Sequence, residues 1–250
     1  MTRGYQHGFS AMHIDTTHDL DMRTRKARTM LAVLHDHYGA DLSALRALDV
    51  GASTGFIDNM LAEHFGTVVG IDIDAAAIDF ARQSFNRENL EFRVGDAMNI
   101  SAPDSNFDVV VCAQVYEHVP DAKILMQEIH RVLKPGGICY FAASNRFMFH
   151  EPHYHLPLLS AIPRPLAHLY LMLTGKGRYY YEKHLSYWGL KKLVGRFAIH
   201  DYTGSIIENP AQFHADYMLR PGSLKARLAA LVTQHAYWLS PGYIWLLEKP

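Results

Sequence analysis

Glycines and an acidic residue follow the first two apolar segments at a spacing that suits a nucleoside site. Leu48–Gly55, with the sequence LDVGASTG, joins an apolar strand to a glycine turn and the start of a helix. Glycines let the backbone approach a ligand, and the free N–H groups of a helix start attract anions. Asp72 ends the next apolar segment, 21 residues after Gly51. A carboxylate there can accept hydrogen bonds from both ribose hydroxyls, which fits a nucleoside cofactor.

A third acidic residue, Asp96, follows the third apolar segment, within Gly95–Met98. Its carboxylate could accept a hydrogen bond from an adenine amino group, or it could be a solvated acid of a loop. The other features also have simpler explanations, since a tight strand-to-helix turn needs glycine anyway and Asp72 could cap the next helix. Asp74 is better placed for that cap, because it directly precedes AAAIDFARQ.

Alternating short apolar and amphipathic segments predict a parallel sheet with helices on both faces. The predicted strands are ALRALDVG, TVVGIDID, LEFRVGD, FDVVVCAQ and GICYFAAS. The predicted helices are GFIDNMLAEHF, AAAIDFARQSF and DAKILMQEIHRVL. Asp121 is the expected N-cap of the last helix, which should stop at Pro135–Gly137.

The predicted organisation is one domain covering residues 1–250, since that length suits a single large α/β unit. Residues 1–44 should hold one helix, near DMRTRKARTMLAVLHDHY, that caps the sheet-forming residues 45–145. Residues 146–185 are crowded with Pro, His, Tyr and Leu and keep no period for long. The rest, 186–250, should add two helices and two strands, as SYWGLKKLVGRF, FAIHDYTG, SLKARLAALVTQHAYWL and GYIWLLEK.

The composition favours a soluble protein that does not bind nucleic acid. Lys and Arg number 24 against 25 Asp and Glu, so there is no broad positive field for a phosphate backbone. Cys112 and Cys139 lie in apolar runs and are expected to be buried thiols of a reducing compartment. The first 20 residues show no secretory pattern and no apolar stretch is long enough to cross a bilayer, so we expect a cytoplasmic protein.

Five motifs in a fixed order resemble the class I S-adenosylmethionine-dependent methyltransferases. They are LDVGASTG, VVGIDID, GDAM, FDVVVCAQVYEHVPD and RVLKPGG. The nearest likeness is to the small-molecule, type 11-like branch, which includes O-methyltransferases of quinone and sugar metabolism. The resemblance implies a Rossmann-like, seven-stranded, mostly parallel sheet with helices on both faces. It also implies S-adenosylmethionine as cofactor and a lid-like insertion after strand five, at residues 146–185.

The resemblance also implies which residues hold the cofactor. They are Asp49, Gly51, Ala52, Ser53 and Gly55 at its methionine end, Asp72 at the ribose, Ile73, Asp96, Ala97 and Met98 at the adenine, and Gln114 under the amino-acid portion. Ser53 departs from the family's G-x-G-x-G, and we expect altered affinity rather than lost binding. A nicotinamide site is the competing interpretation, but Gly51 and Gly55 do not give the G-x-G-x-x-G spacing.

Methyl transfer requires in-line geometry and sometimes a general base, for which histidine is suited. His118 follows the fourth strand, so it is the candidate base or substrate contact; alternatively it braces the turn with Glu117. The substrate pocket is predicted to be lined by histidine and tyrosine side chains of the insertion. Alternatively, these aromatic side chains could close the hydrophobic core. These residues are His153, His155, Tyr179, Tyr180 and Tyr181.

A metal site is not predicted. His150, Glu151, His153 and His155 are compatible with a loop site, but their spacing fixes no geometry and methyl transfer needs no metal.

The expected acceptor is a small molecule, a sugar or a lipid-linked compound, most simply methylated on oxygen. No Asn-Pro-Pro-Tyr-like sequence follows the fourth strand, which disfavours amino groups of DNA and proteins. LPLLSAIPRPLAHLYLMLTGKGR is apolar and flanked by basic residues, so the insertion could rest on a membrane surface or could be a buried hairpin. The alternative to an enzyme is a catalytically silent relative that binds a nucleoside or a partner protein, and Ser53 points that way. Oligomeric state is left open.

Overall fold

A seven-stranded, mostly parallel sheet organises the residues that the computed structural model describes, which are 7, 8, 10, 19–39 and 41–250. Its order is β3–β2–β1–β4–β5–β9–β8, and β6 pairs with β7 in a separate hairpin. The strands are β1 (Arg46–Val50), β2 (Thr67–Asp72), β3 (Leu90–Val94), β4 (Phe107–Ala113), β5 (Leu133–Ser144), β6 (His150–Glu151), β7 (Leu156–Pro157), β8 (Ala198–Asp201) and β9 (Gly242–Glu248).

Helices connect these strands, and side chains predicted as caps begin two of them. The helices are α1 (Leu20–Tyr38), α2 (Phe56–Leu61), α3 (Ala75–Ser84), α4 (Ala122–Val132), α5 (Arg164–Leu173), α6 (Tyr187–Leu193), α7 (Thr203–Glu208) and α8 (Leu224–His235), with a 3₁₀ turn at Tyr237–Leu239. Asp74 accepts hydrogen bonds from the N–H groups of Ala76 and Ala77, and Asp121 accepts one from Lys123. None of the described helices is long and apolar enough to cross a membrane.

The direction of the strands decides where a ligand can bind. β1 to β5 are parallel to one another, and β9 runs antiparallel between β5 and β8. The chain builds outward from β1 first to β2 and β3, then returns to place β4 on the other side. Ligands of open α/β sheets bind at the carboxyl ends of strands where the order reverses in this way. The Gly51 turn and the residues after β4 both lie at that point.

Alternate residues of the central strands pack on opposite faces of the sheet. Leu48 and Val110 belong to the core that includes Leu125 of α4 and Leu190 of α6. Their neighbours in the chain, such as Ala47, pack with α1 and α2 on the other face. Strands buried on both faces are continuous apolar runs, as the sequence of β4 shows. The predicted fold class is therefore confirmed.

Several local expectations differ from the structure, since α7 and the β6–β7 hairpin were not predicted and two further differences involve prolines. Pro135–Gly137 was expected to separate helix from strand, but α4 ends at Val132 and β5 starts at once with Leu133. The pairing of β5 with β4 includes this segment through a shift of register between Phe107 and Val109. Helix α5 was also missed, because its prolines suggested a break. Pro163 and Pro165 lie at the helix start, where the missing N–H costs no hydrogen bond.

Gly55 provides a test of the fold through a matched pair of glycines. Both Gly55 and Gly136 have left-handed backbone, with φ of +77° and +73°. A Cβ on Gly55 would lie 2.6 Å from Cζ of Phe92 and 2.8 Å from Cβ of Ala81, whereas one on Gly136 would meet nothing within 4 Å. Gly136→Ala should cost about 1 kcal/mol of unfolding free energy from backbone strain. Gly55→Ala should cost about 1–3 kcal/mol more from overpacking.

Chemical denaturation of the two variants beside the parent chain checks this expectation. Equal losses of stability would contradict the close packing of the glycine turn against α3 and β3.

Candidate functional site

A cavity of about 1130 Å³ opens at the carboxyl ends of the central strands. Ten of the seventeen residues predicted from the sequence line it: Gly51, Ser53, Asp72, Ile73, Asp96, Ala97, Gln114, His118, His153 and His155. The seven that do not are Asp49, Ala52, Gly55, Met98, Tyr179, Tyr180 and Tyr181. The structure thus brings most of the expected cofactor residues to one wall, together with the candidate base and two histidines of the insertion.

The glycine turn after β1 is held open by its backbone and by Asp72. Gly51 has a φ of +87°, and a Cβ there would lie 2.7 Å from Cγ2 of Val115. The N–H of Gly51 donates to the carbonyl of Ile71 at 2.8 Å. The N–H of Ser53 donates to Oδ2 of Asp72 at 2.8 Å, with Ser53 itself at a φ of +53°. The backbone therefore faces the cavity with little side chain in the way, as a bound cofactor would require.

Asp72 performs two tasks at the end of β2. Its Oδ2 accepts the Ser53 N–H, and its Oδ1 accepts the Asp74 N–H at 2.9 Å. Burial raises the pKa of Asp72, while these N–H donors oppose the shift. Each carboxylate oxygen has a second lone pair, so Asp72 can still accept hydrogen bonds from a ligand in the cavity. These contacts fit the ribose site that the resemblance implies.

Asp49 and Asp58 form a buried acidic pair behind the glycine turn. Asp49 is 5% exposed and Asp58 is fully buried. Burial raises the pKa of both carboxyls, and the charge of Asp49 raises that of Asp58 further. Arg23 of α1 lies close enough to oppose the shift of Asp49, and it also lines the cavity. Asp49 was predicted as a cofactor contact, but it does not line the cavity.

The residues expected around adenine and the amino-acid portion occupy the flanking loops. Oδ1 of Asp96 accepts the N–H of Met98 at 2.8 Å, which fixes the loop after β3. Met98 packs against the core rather than into the cavity, with its Sδ accepting the N–H of Asp121. Gln114 has a φ of +59°, and its Oε1 accepts a hydrogen bond from the hydroxyl of Ser144 at 2.6 Å.

His118 lies at the cavity wall after β4, between the cofactor residues and the insertion. Its side chain is 15% exposed, and its Nδ1 lies 3.9 Å from Oε1 of Glu182. Its ring meets that of His153 edge to face, with 4.8 Å between centroids. The position suits a group that contacts an acceptor, so His118 remains the candidate base.

The predicted tyrosines of the insertion do not line the cavity, and their role in acceptor binding stays a prediction. Tyr180 is buried among Leu156, Leu159, Ala167 and Leu171, which form a separate small core. Its N–H donates to Nδ1 of His168 at 2.9 Å. Tyr179 and Tyr181 are exposed on either side of it. Burial alternates along Tyr179–Tyr181 because successive side chains turn to opposite sides of the segment.

The sequence interpretation missed the apolar part of the cavity, which the carboxyl-terminal third supplies. Residues 186–250 were assigned only to the end of the sheet, yet α7, α8 and the segments after them carry much of the lining. The residues of this apolar lobe are Ile206, Ile207, Met218, Leu219, Leu228, Ala229, Val232, Leu239, Tyr243 and Ile244. The apolar side of α8 is the sequence signal that could have revealed this lobe, since none of the residues of that helix is buried in the core.

Comparison with known proteins finds a family match within the chain and several partial relatives. Residues 48–141 match the methyltransferase domain family. A ubiquinone biosynthesis O-methyltransferase of Coxiella burnetii is 30% identical over 42% of this chain and 46% of its own length. A fatty-acid O-methyltransferase of Mycolicibacterium smegmatis is 35% identical over 47% of this chain and 42% of its own. The match thus spans less than half of either curated relative.

The fold comparison covers more of the chain. An S-adenosylmethionine-dependent methyltransferase of Mesorhizobium loti superposes with a TM-score of 0.56 over 84% of this chain and 93% of its own, at 16% identity. The sheet order and this fold similarity agree with the match of residues 48–141 to a methyltransferase domain.

Proposed function

We propose that this protein transfers a methyl group from S-adenosylmethionine to an oxygen of a small, largely apolar acceptor. The observation that carries the proposal is the continuity of the cavity. One end has the carboxylates and the open backbone turn expected for a nucleoside cofactor, and the other end is the apolar lobe. A nucleoside and a second, apolar molecule could therefore lie against each other in one enclosure.

The residues on the cofactor side fit the group that the family binds. Asp72 would accept hydrogen bonds from the ribose hydroxyls, Ile73 would pack on the adenine, and Asp96 would lie near its amino group. Arg23 lines the same end, so it could pair with the carboxylate of the amino-acid portion. When bound, the cofactor supplies an electrophilic methyl group on a sulfonium. The protein's own part is to hold acceptor and donor in line and to keep water out.

The acceptor class follows from the apolar lobe. Aliphatic side chains of α7 and α8 cover it, and such walls bind ligands by removing apolar surface from water. His118 and His153 stand where the lobe meets the cofactor side, so either could take up a hydroxyl proton during transfer. The names of the curated relatives, a ubiquinone biosynthesis O-methyltransferase and a fatty-acid O-methyltransferase, support an apolar acceptor that is methylated on oxygen.

The cofactor half of the proposal is tested with a matched pair of acidic residues. Asp72→Ala should weaken S-adenosylhomocysteine binding by about 1–3 kcal/mol, because charge-assisted hydrogen bonds to the ribose are lost. Asp79→Ala removes an exposed acid of α3 outside the cavity and should leave affinity unchanged. Calorimetric titration of both folded variants with S-adenosylhomocysteine measures these affinities. No binding by the parent chain, or equal losses in both variants, would contradict the proposal.

Transfer itself separates an enzyme from the silent alternative. Incubation with methyl-labelled S-adenosylmethionine and fractionated lipid and small-molecule extracts should place label in an apolar product. Binding of S-adenosylhomocysteine without transfer into any fraction would instead favour the catalytically silent protein.

The apolar lobe is tested with two neighbouring alanines of α8. Ala229 lines the cavity, whereas Ala230 is exposed on the helix surface and does not. Ala229→Trp should fill the lobe, raise KM for the acceptor or abolish turnover, and leave S-adenosylhomocysteine affinity within about twofold. Ala230→Trp should leave both quantities unchanged. Unchanged turnover in folded Ala229→Trp would show that the acceptor does not occupy this lobe.

We also propose that the insertion rests on an anionic membrane surface, from which an apolar acceptor could enter. Helix α5 buries Ala167 and Leu171 on one side and exposes an apolar stripe on the other. The exposed stripe comprises Leu166, Leu169, Met172 and Leu173, and the basic residues beside it are Arg164, Lys176 and Arg178. Such a surface suits the interface of anionic lipids, where the leucines enter the acyl boundary and the cations meet headgroups.

Vesicle sedimentation tests this contact. The double variant Leu169→Asp with Leu173→Asp should lose most binding to phosphatidylglycerol vesicles. The control, Leu224→Asp with Leu231→Asp, changes two exposed leucines of α8 and should retain it. Equal binding by all three proteins, or no binding by the parent, would exclude the membrane contact without affecting the assignment of the cavity.

A further inference from the structure

One glutamate and two histidines from two separate segments meet beside the cavity, at the base of the insertion. Glu151 ends β6, His153 lies in the turn that follows, and His184 comes from the segment that returns from α5. One donor atom of each lies within 4.8 Å of the others. Glu151 and the side chain of His184 are fully buried, and the side chain of His153 is 16% exposed.

The two histidines converge on a single oxygen of Glu151. Nδ1 of His153 lies 2.6 Å from Oε1, and Nε2 of His184 lies 3.6 Å from the same atom. The other oxygen, Oε2, accepts the backbone N–H of Tyr154 at 2.8 Å. That hydrogen bond fixes the carboxylate plane, as the outer partners of metal ligands do, and leaves Oε1 directed at both imidazoles.

Nε2 of His184 meets Glu151 only at 3.6 Å, beyond ordinary hydrogen-bond distance. Both nitrogens are buried, and neither makes a hydrogen bond to any residue that the structure describes. A buried imidazole normally has its polar atoms satisfied, because an unmade hydrogen bond costs free energy. A ligand bound by one of these nitrogens would remove that cost.

Two further carboxyl groups lie at this place. Glu117 and Glu182 are buried next to the cluster, and His153 and His184 both act electrostatically on Glu117. His118 lies near Glu182 and against the ring of His153. Burial raises the pKa of Glu117, and a divalent cation nearby would stabilise its charged form, since a buried negative charge needs a nearby positive one.

We propose that Glu151, His153 and His184 bind a divalent transition-metal ion, and that Zn²⁺ suits this set of donors. Two imidazoles and one carboxylate are the ligands of many zinc sites that keep a further position open. Ligands about 2.0–2.2 Å from a tetrahedral ion lie roughly 3.3 Å apart. The spacing of His184 already matches, and His153 would exchange its hydrogen bond to Glu151 for the metal.

The site would join two parts of the insertion. It would tie the β6–β7 hairpin to the segment that returns from α5, across the 32 residues of chain between Glu151 and His184. It would also stand beside His118, at the cavity wall that His153 lines. The metal would thus hold the outgoing and returning ends of the insertion together. This inference concerns metal binding alone and does not depend on methyl transfer.

Metal content tests the proposal directly. The full chain, stripped with a chelator and reloaded with Zn²⁺, should retain one equivalent after gel filtration, measured by mass spectrometry of the metal. His184→Gln and Glu151→Gln should each weaken Zn²⁺ affinity by more than about 100-fold, beyond the effect of losing an outer partner. His150→Gln changes an exposed histidine of the same hairpin, outside the cluster, and should retain the ion.

Two further measurements keep the test decisive. Anomalous diffraction at the zinc edge from the parent chain needs no variant, and should show a peak between the three side chains. A titration with S-adenosylhomocysteine in the same samples reports cofactor binding separately. Absence of retained Zn²⁺, a peak elsewhere, or equal losses in the His150 control would overturn the metal site, even where cofactor binding persists.

Discussion

The hydrogen bonds of Asp72 are the interaction on which the cofactor end of the cavity depends. One carboxylate oxygen holds the turn after β1 through Ser53, and the other holds the start of α3 through Asp74. Asp74 in turn accepts hydrogen bonds from the N–H and the hydroxyl of Ser10. A single side chain at the end of β2 thus fixes the turn, the helix and, through its neighbour, a residue of the amino-terminal region.

Parallel pairing converts this local arrangement into a site. Val50 of β1 lies opposite Ile71 of β2 on one side and Cys112 of β4 on the other. Asp72, the glycine turn and Gln114 therefore emerge at one edge of the sheet. Because β9 reverses direction next to β5, its amino-terminal end lies at the same edge, where Tyr243 and Ile244 join the apolar lobe. The sheet order explains why cofactor and acceptor sides are continuous.

The cofactor side could be predicted from sequence because its signals are local. The turn from β1 to α2 needs left-handed residues, and Gly51 and Gly55 supply them at the expected positions. Asp74 and Asp121 precede their helices directly, so their capping roles are visible in the sequence. Ser53, the departure from the glycine pattern, occupies a left-handed conformation that serine tolerates at a cost of about 1 kcal/mol.

The acceptor side and the insertion could not be predicted in the same way, because their contacts are distant in sequence. Tyr180 belongs to a core whose other members come from β7 to α5, so its neighbours in sequence say nothing of its burial. His184 joins Glu151 and His153 only after α5 has carried the chain out and back. The apolar lobe likewise needs α8 to lie beside α7, a contact that amphipathic pattern alone does not specify.

A crystal structure with S-adenosylhomocysteine tests the central claim most directly, namely that cofactor and acceptor share one cavity. The account predicts that the ribose hydroxyls lie within hydrogen-bond distance of Asp72 and that the adenine lies between Ile73 and Asp96. It further predicts that the sulfur faces His118 and the opening to the apolar lobe. A ligand bound outside this cavity, or one whose sulfur is closed off from the lobe, would contradict it.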